Sequence, residues 1–255
     1  MSEILHLENV VKRFGGVTAL ENANFRLDEG EIVGVVGDNG AGKSSLMKIM
    51  SGVYVIDTGR YVINGKELKV ESTEDVRRFG IEMVYQDFAL INTLDVKTNI
   101  FLGREPIKRI LGLIPRIDKA KMARESHRIL KESLELDVDN VHMKVEKLSG
   151  GQRQGIAIAR TLLFNPRVLI LDEPTASLSL QKVVKVLELI KRLKTIGVAA
   201  ILISHKLEEV FEVCDRVVVL YHGRTVADLR TAETNRDEVA LIMINGRPIG
   251  QPSKN

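Results

Sequence analysis

The sequence predicts an α/β fold built on a mainly parallel sheet, and three observations carry that prediction. Short β-branched runs recur along the chain, three of them continuously apolar, as strands buried on both faces are. Between Leu180 and Leu193 the apolar residues recur every three or four positions, so a helix able to cover a sheet follows one such run and precedes another. A glycine-rich segment also joins one run directly to a helical stretch.

Taken in order, strands are expected over residues 4–11, 32–36, 81–85, 168–171, 199–203 and 217–221. The helix after Leu180 places Val183, Val184, Val186, Leu187, Ile190 and Leu193 toward the sheet. From about 88 to 165 the texture changes. Asp118 is a candidate cap for a charged helix whose Met122, Ala123, Ile129, Leu130 and Leu134 share a face. A second helix follows Ser149 with Ile156, Ala159 and Leu163 inward, so a helical subdomain inserted into the α/β core is expected. No internal repeat occurs, and each motif below is found once.

Composition narrows the function classes. The 255 residues are 44% hydrophobic, enough to bury a substantial core. The net charge of +3 is a small imbalance between 37 basic and 34 acidic residues, and without tryptophan there is no evident base-stacking platform, so nucleic acid is not an expected partner. A single cysteine, Cys214, excludes an internal disulfide and fits a reducing, cytoplasmic setting. No apolar run approaches the roughly 20 residues that span a bilayer, and the acidic residues Glu3 and Glu8 make the amino terminus unlike a signal peptide. Any service to a membrane therefore requires docking on other chains.

Residues 37–44, GDNGAGKS, fit the phosphate-loop pattern after a strand and before the helical SLMKIM. Gly37, Gly40 and Gly42 let the backbone of Asp38, Asn39 and Ala41 curl with its N–H groups inward, and the start of the helix, with Ser45, adds its positive end. Lys43 supplies a positive charge for the β and γ phosphates, and the Ser44 hydroxyl is a candidate Mg²⁺ ligand. The segment 168–173, VLILDE, is an apolar strand ending in two acids. Ligands of parallel sheets gather at the carboxyl ends of strands, so these acids are expected beside the loop. Asp172 is the candidate metal ligand and Glu173 the candidate base that polarises an attacking water. Without the phosphate loop, the same pair would read as a helix cap or a solvated turn.

Residues 148–152, LSGGQ, carry a more particular signal. Ser149 is placed to cap a helix, and Gly150, Gly151 and Gln152 open it with exposed N–H groups, a second anion site or simply a flexible cap. With this pentapeptide upstream of the carboxylate strand, the chain resembles the ATP-binding cassette family over most of its length. The resemblance implies a P-loop NTPase core, an antiparallel β subdomain at the amino terminus and a single ATPase domain over 1–246, with a helical signature subdomain over about 88–165 and a polar tail over 247–255. It implies Mg²⁺-dependent ATP hydrolysis in which the signature of one cassette contacts the γ-phosphate held by another. It further implies adenine stacking by Phe14, contacts to Mg²⁺, water and the membrane partner from Gln86 and its loop, and a γ-phosphate contact from His205. The family usually has an aspartate where this chain has Ser179.

Segments VYQDFALI, NIFLGREP and LIMINGR resemble the simple-sugar import cassettes. The partners implied are a second cassette, transmembrane permease subunits and, indirectly, an extracytoplasmic sugar-binding receptor, with the chain peripheral on the inner face of the membrane. The rival readings are an importer of another solute, a soluble cassette ATPase of DNA repair or translation, and a module that binds nucleotide without hydrolysing it. Against the last stands the retention of Lys43, Gln86, Glu173 and His205.

Overall fold

A computed structural model describes residues 2–85, 89–110, 113–138, 140–176 and 178–247. Twelve strands are found among them: β1 Glu3–Phe14, β2 Val17–Asp28, β3 Ile32–Val36, β4 Thr58–Ile63, β5 Lys66–Glu67, β6 Ile81–Val84, β7 Ile107–Ile110, β8 Ile114–Ile117, β9 Val168–Asp172, β10 Ala199–Ile203, β11 Arg216–Tyr221 and β12 Arg224–Arg230. The α-helices are α1 Lys43–Met50, α2 Thr73–Arg77, α3 Val96–Phe101, α4 Lys119–Arg128, α5 Gly150–Leu162, α6 Leu180–Thr195, α7 Leu207–Val213 and α8 Arg236–Asn245.

The central sheet has the order β12-β11-β3-β10-β9-β6. Its pairings are parallel except for the β11–β12 hairpin at the edge. Every residue of β3 and β10 is buried, as their apolar runs require when both faces are covered. The faces alternate. Ile32, Val36, Leu169, Leu171, Ala200 and Leu202 pack with Ile156, Val186, Ile190, Val239 and Ile242 from α5, α6 and α8. Val33, Val35, Val168, Ile170, Ile201 and Ile203 pack instead with Leu46 and Met47 of α1 and with Leu5, Leu7 and Tyr61. Those last residues come from the antiparallel sheet β2-β1-β4-β5 at the amino terminus.

Two polar clusters fix the sheets to each other. Arg216, 5% exposed, donates to both carboxylate oxygens of Glu31, to Asp228 and to the carbonyl of Arg26 on β2. Such a fork matches two planar carboxylates at once. The Thr225 hydroxyl of β12 donates to the Asn24 carbonyl of β2 at 2.6 Å and accepts from the Asn24 N–H at 3.0 Å.

The region from 89 to 165 contains the expected helices, capped as their sequences predict: Asp118 accepts from the Lys121 N–H, and Ser149 from the Gln152 N–H. It is not wholly helical. The β7–β8 hairpin interrupts it, and after Arg128 the α4 chain widens into a π-helical turn, Ile129–Ser133, that still buries Ile129, Leu130 and Leu134. Val184, expected inward on α6, is 55% exposed, because Val183, Val186, Leu187, Ile190 and Leu193 define the buried stripe. Among the described residues no helix is long and apolar enough to cross a membrane.

Candidate nucleotide site

The site begins where β3 ends. Gly37, Gly40 and Gly42 have φ of 153°, 83° and 104°, a region L side chains rarely enter. At Gly37 space is also decisive: a Cβ there would lie 2.4 Å from the Leu220 carbonyl oxygen of β11. At Gly42 a Cβ would meet Leu20 at 2.8 Å and the Ala19 carbonyl at 2.9 Å, both on β2. The β11–β12 turn completes this support, with the Gly223 N–H donating to the Ala41 carbonyl at 2.9 Å and its own carbonyl accepting from the Glu21 N–H.

Gly42 opens α1 without a side-chain cap, and no acid stands in the first turn, so the amino end of α1 keeps donors and partial positive charge for an anion. Asp38, Asn39, Gly40 and Ser44 are exposed there, Ser45 half-buried. Lys43 is buried, its Nζ donating to the carbonyls of Gly37 at 2.7 Å and Asp38 at 3.0 Å. Burial pulls its ammonium below the ordinary lysine range, against the raising effect of Glu173, Asp38 and Asp172.

The two acids lie at the carboxyl end of β9. Asp172 pairs in register with Ile203 of β10. Burial, then the charge of Glu173, pushes its carboxyl above the usual aspartate range, while Lys48 and Lys43 oppose the shift. Glu173 has a φ of 43°, a left-handed conformation that turns the chain away from the sheet, and its N–H donates to the Ile203 carbonyl at 2.9 Å. For a residue with a Cβ this conformation costs on the order of 1 kcal/mol. The turn brings Glu173 Oε1 to 3.0 Å from His205 Nδ1, which follows β10. The acid and the histidine singled out in the sequence therefore meet, with the phosphate-loop lysine close enough to be biased by Glu173.

Of the residues expected to hold Mg²⁺, the described ones are Ser44, with its hydroxyl, and Asp172, with its carboxylate. Both are hard oxygen donors, the type of ligand Mg²⁺ favours. Gln86, the third expected ligand, lies outside the described residues.

Phe14 closes β1 beside a tight turn into β2 and is 42% exposed. Tyr54 meets its ring edge-on, with centroids 5.0 Å apart, and Lys12 Nζ lies 5.4 Å from the Phe14 centroid. Phe14 pairs with Val17 of β2, and β2 touches the phosphate loop at Ala19 and Leu20, so the exposed ring sits on the strand paired with the one anchored to that loop. The contact of Tyr54 with Phe14 is not legible in the sequence, since an isolated tyrosine after α1 fits no recurrent pattern.

The LSGGQ segment forms a reciprocal cap: Ser149 accepts from the Gln152 N–H at 3.3 Å, and Gln152 Oε1 accepts from the Ser149 N–H at 2.9 Å. Ser149 is exposed, and Gly150 would strike Leu178 at 2.7 Å if it carried a Cβ. Among the described residues no hydrogen bond joins 149–152 to the phosphate loop. Ser179 occupies the amino-terminal cap of α6 but makes no capping bond with its side chain.

A family model described as "ABC transporter" matches residues 20–176. The chain is 42% identical to the xylose/arabinose import ATP-binding protein of Sulfolobus acidocaldarius, over 95% of this chain and 94% of that one. It is 43% identical to the fructose import ATP-binding protein of Rhizobium meliloti, over 94% and 93%. Against the ribose import ATP-binding protein of Caldanaerobacter subterraneus, 38% identical, it covers 96% of its own length and only 48% of the relative's. A solved dimeric bacterial ABC transporter cassette superposes with a TM-score of 0.73 at 27% identity, over 89% of this chain and 99% of that one.

Proposed function

Given that this chain belongs to the ABC transporter family as an ATPase cassette, we propose that it powers import of a simple sugar through separate permease subunits, working as a pair of cassettes on the inner face of the membrane. The sugar assignment follows the functions carried by the names of its relatives. Pairing is supported by the single phosphate loop and single signature in the chain, and by the dimeric form of a solved neighbour. On this reading the domain comprises 1–246, with the signature region inserted.

One observation carries the catalytic part: Glu173 and His205 meet at 3.0 Å at the carboxyl ends of adjacent parallel strands. The backbone N–H groups of 37–45 cradle the phosphates, and Lys43 moves its three donors from loop carbonyls to β- and γ-phosphate oxygens. Phe14 stacks on adenine. Glu173 accepts a proton from the attacking water, while His205 holds that carboxylate on one side and the γ-phosphate on the other. Ser44, Asp172 and Gln86 would hold Mg²⁺, whose charge would neutralise that of the phosphates. The partner's Ser149 to Gln152 segment completes the γ-phosphate cage. Closure of the pair drives the permease, and hydrolysis resets it.

The test is Glu173→Gln. Turnover should fall by about 10²–10⁴, while ATP binding persists and an ATP-dependent dimer accumulates on size-exclusion chromatography with light scattering. Wild-type hydrolysis would remove Glu173 as the base, and a monomer at saturating ATP would remove the paired mechanism. The sugar reading is tested by copurification, with a multi-span permease and a sugar-binding receptor expected and ribosomes or DNA contradicting it.

A further inference from the structure

Outside the groups assigned above, the described residues hold a buried carboxylate that no step of the mechanism uses. Glu209, on the first turn of α7, is 4% exposed. An acid so enclosed is costly unless its oxygens are satisfied. Among the described residues their partners come from two segments. Oε2 accepts from the Thr175 hydroxyl at 2.5 Å and the Ser204 hydroxyl at 3.3 Å, and Oε1 accepts from Lys206 Nζ at 3.0 Å. Thr175 lies two residues beyond Glu173, and Ser204 and Lys206 flank His205. Thr175 and Ser204 are each 2% exposed.

We infer that Glu209 is a positioning residue for hydrolysis, its carboxylate bracketing the segment after β9 to the segment after β10 so that Glu173 and His205 are held together. This rests on the roles proposed for Glu173 and His205. The backbone around the bracket is directional. The Ser204 hydroxyl that donates to Glu209 accepts from the Lys206 N–H at 3.1 Å, and the Glu209 N–H returns to the Lys206 carbonyl at 3.2 Å. The Ala176 N–H donates to the Glu173 carbonyl at 3.0 Å, so the turn gripped at Thr175 also carries the base. The helix itself is pinned from behind: a Cβ on Gly34 of β3 would lie 2.5 Å from Val210 Cγ1, so α7 rests directly on the strand that feeds the phosphate loop. Strand ends carrying the acid, the histidine and the loop are thus referenced to one helix, and preorganisation of this kind sets the geometry on which turnover depends.

The test is kinetic, on the full chain with Mg-ATP. Glu209→Gln keeps the shape but replaces one acceptor oxygen with a donor facing the hydroxyls. It should lower kcat by about 10–10², the scale of a displacement near 1 Å, with KM for ATP unchanged. Thr175→Val, which deletes the hydroxyl at constant volume, should lower kcat similarly, and Thr175→Ser should restore it. In a Glu173→Gln background, followed by single-turnover phosphate release, Glu209→Gln should cost nothing further, because its effect passes through Glu173. An unchanged kcat, an equal loss in both backgrounds, or a rise in KM alone would overturn the inference and leave the catalytic assignment standing. If Glu173→Gln itself hydrolyses ATP like wild type, the catalytic assignment falls and the inference falls with it. Should Glu209→Gln fail to fold, the two Thr175 variants decide the question.

Discussion

His205 Nδ1 stands 3.0 Å from Glu173 Oε1, although 32 positions separate them in sequence. A carboxylate only accepts, so Nδ1 carries the hydrogen in this pair, and a γ-phosphate contact through Nε2 requires a second hydrogen on the ring. His205→Ala should therefore free the Glu173 side chain and remove a γ-phosphate contact together. The expected result is a loss of about 10²–10³ in kcat, the scale of one preorganised polar contact, with ATP affinity largely kept. Steady-state phosphate release and equilibrium nucleotide binding measure the two quantities separately.

Lys43 offers a test in which stability and affinity part company. Its charge is buried and its pKa lowered, so the folded chain binds this proton less readily than the unfolded chain does. The desolvation cost is therefore present where Lys43 is charged, below the lowered pKa, and is relieved as pH rises toward the ordinary lysine value. Lys43→Met should remove that cost along with the bonds to Gly37 and Asp38, leaving the nucleotide-free melting temperature unchanged or higher. ATP binding should weaken by about 1.5–3 kcal/mol, the contribution of a hydrogen bond to a charged group. Calorimetric melting without nucleotide and titration with ATP check the two halves.

Phe14 is exposed, so its loss should leave the fold intact while weakening adenine stacking. Phe14→Ala should reduce ATP affinity by about 1–3 kcal/mol, with Phe14→Trp near wild type. Tyr54→Ala, which removes the edge-on support at 5.0 Å together with the contacts of Tyr54 to Lys48, should have a smaller effect in the same direction. Fluorescent-nucleotide displacement ranks the three variants.

Glu82 on β6 is 7% exposed, and burial pushes its carboxyl above the ordinary glutamate value against the pull of Arg77 and Arg104. The folded chain holds this proton more tightly than the unfolded chain, so stability falls as pH rises through the interval between the two pKa values. Arg77 Nε lies 3.5 Å from Glu82 Oε2 and is itself half-exposed, which weakens the pair through solvent screening. Arg77→Ala should cost about 1 kcal/mol at neutral pH, and the deficit should shrink as the pH is lowered and Glu82 protonates. Urea denaturation at two pH values measures it.

The central sheet was legible because strands covered on both faces have nothing but apolar residues to show. β3 and β10 run over the residues their composition marks out, and β9 extends one residue further to Asp172. β2 was not legible. It is half-exposed, and its pairing with β1 slips near Asn9 and Asn22, both at positive φ, which breaks the alternation a strand search relies on. The β7–β8 hairpin escaped for another reason: Ile107, Ile114 and Ile117 are exposed, so their apolarity says nothing about a core. Within the site, the phosphate loop and the two acids carry their chemistry in fixed spacing. The Glu209–Thr175 and Tyr54–Phe14 contacts join residues far apart in the chain, and no local pattern announces them.

The phosphate loop does not hold its own shape. Gly37 lies under the Leu220 carbonyl, Gly42 against Ala19 and Leu20, and Gly223 closes the gap, so two chain segments act as a mould around one turn. An engineer randomising residues 19, 20, 220 or 223 would find nucleotide affinity drifting although none of these positions belongs to the GDNGAGKS motif. Transplanting that octapeptide onto another scaffold would likewise carry over the letters without the fit, because half of the binding specification is written in the surface the loop lies on.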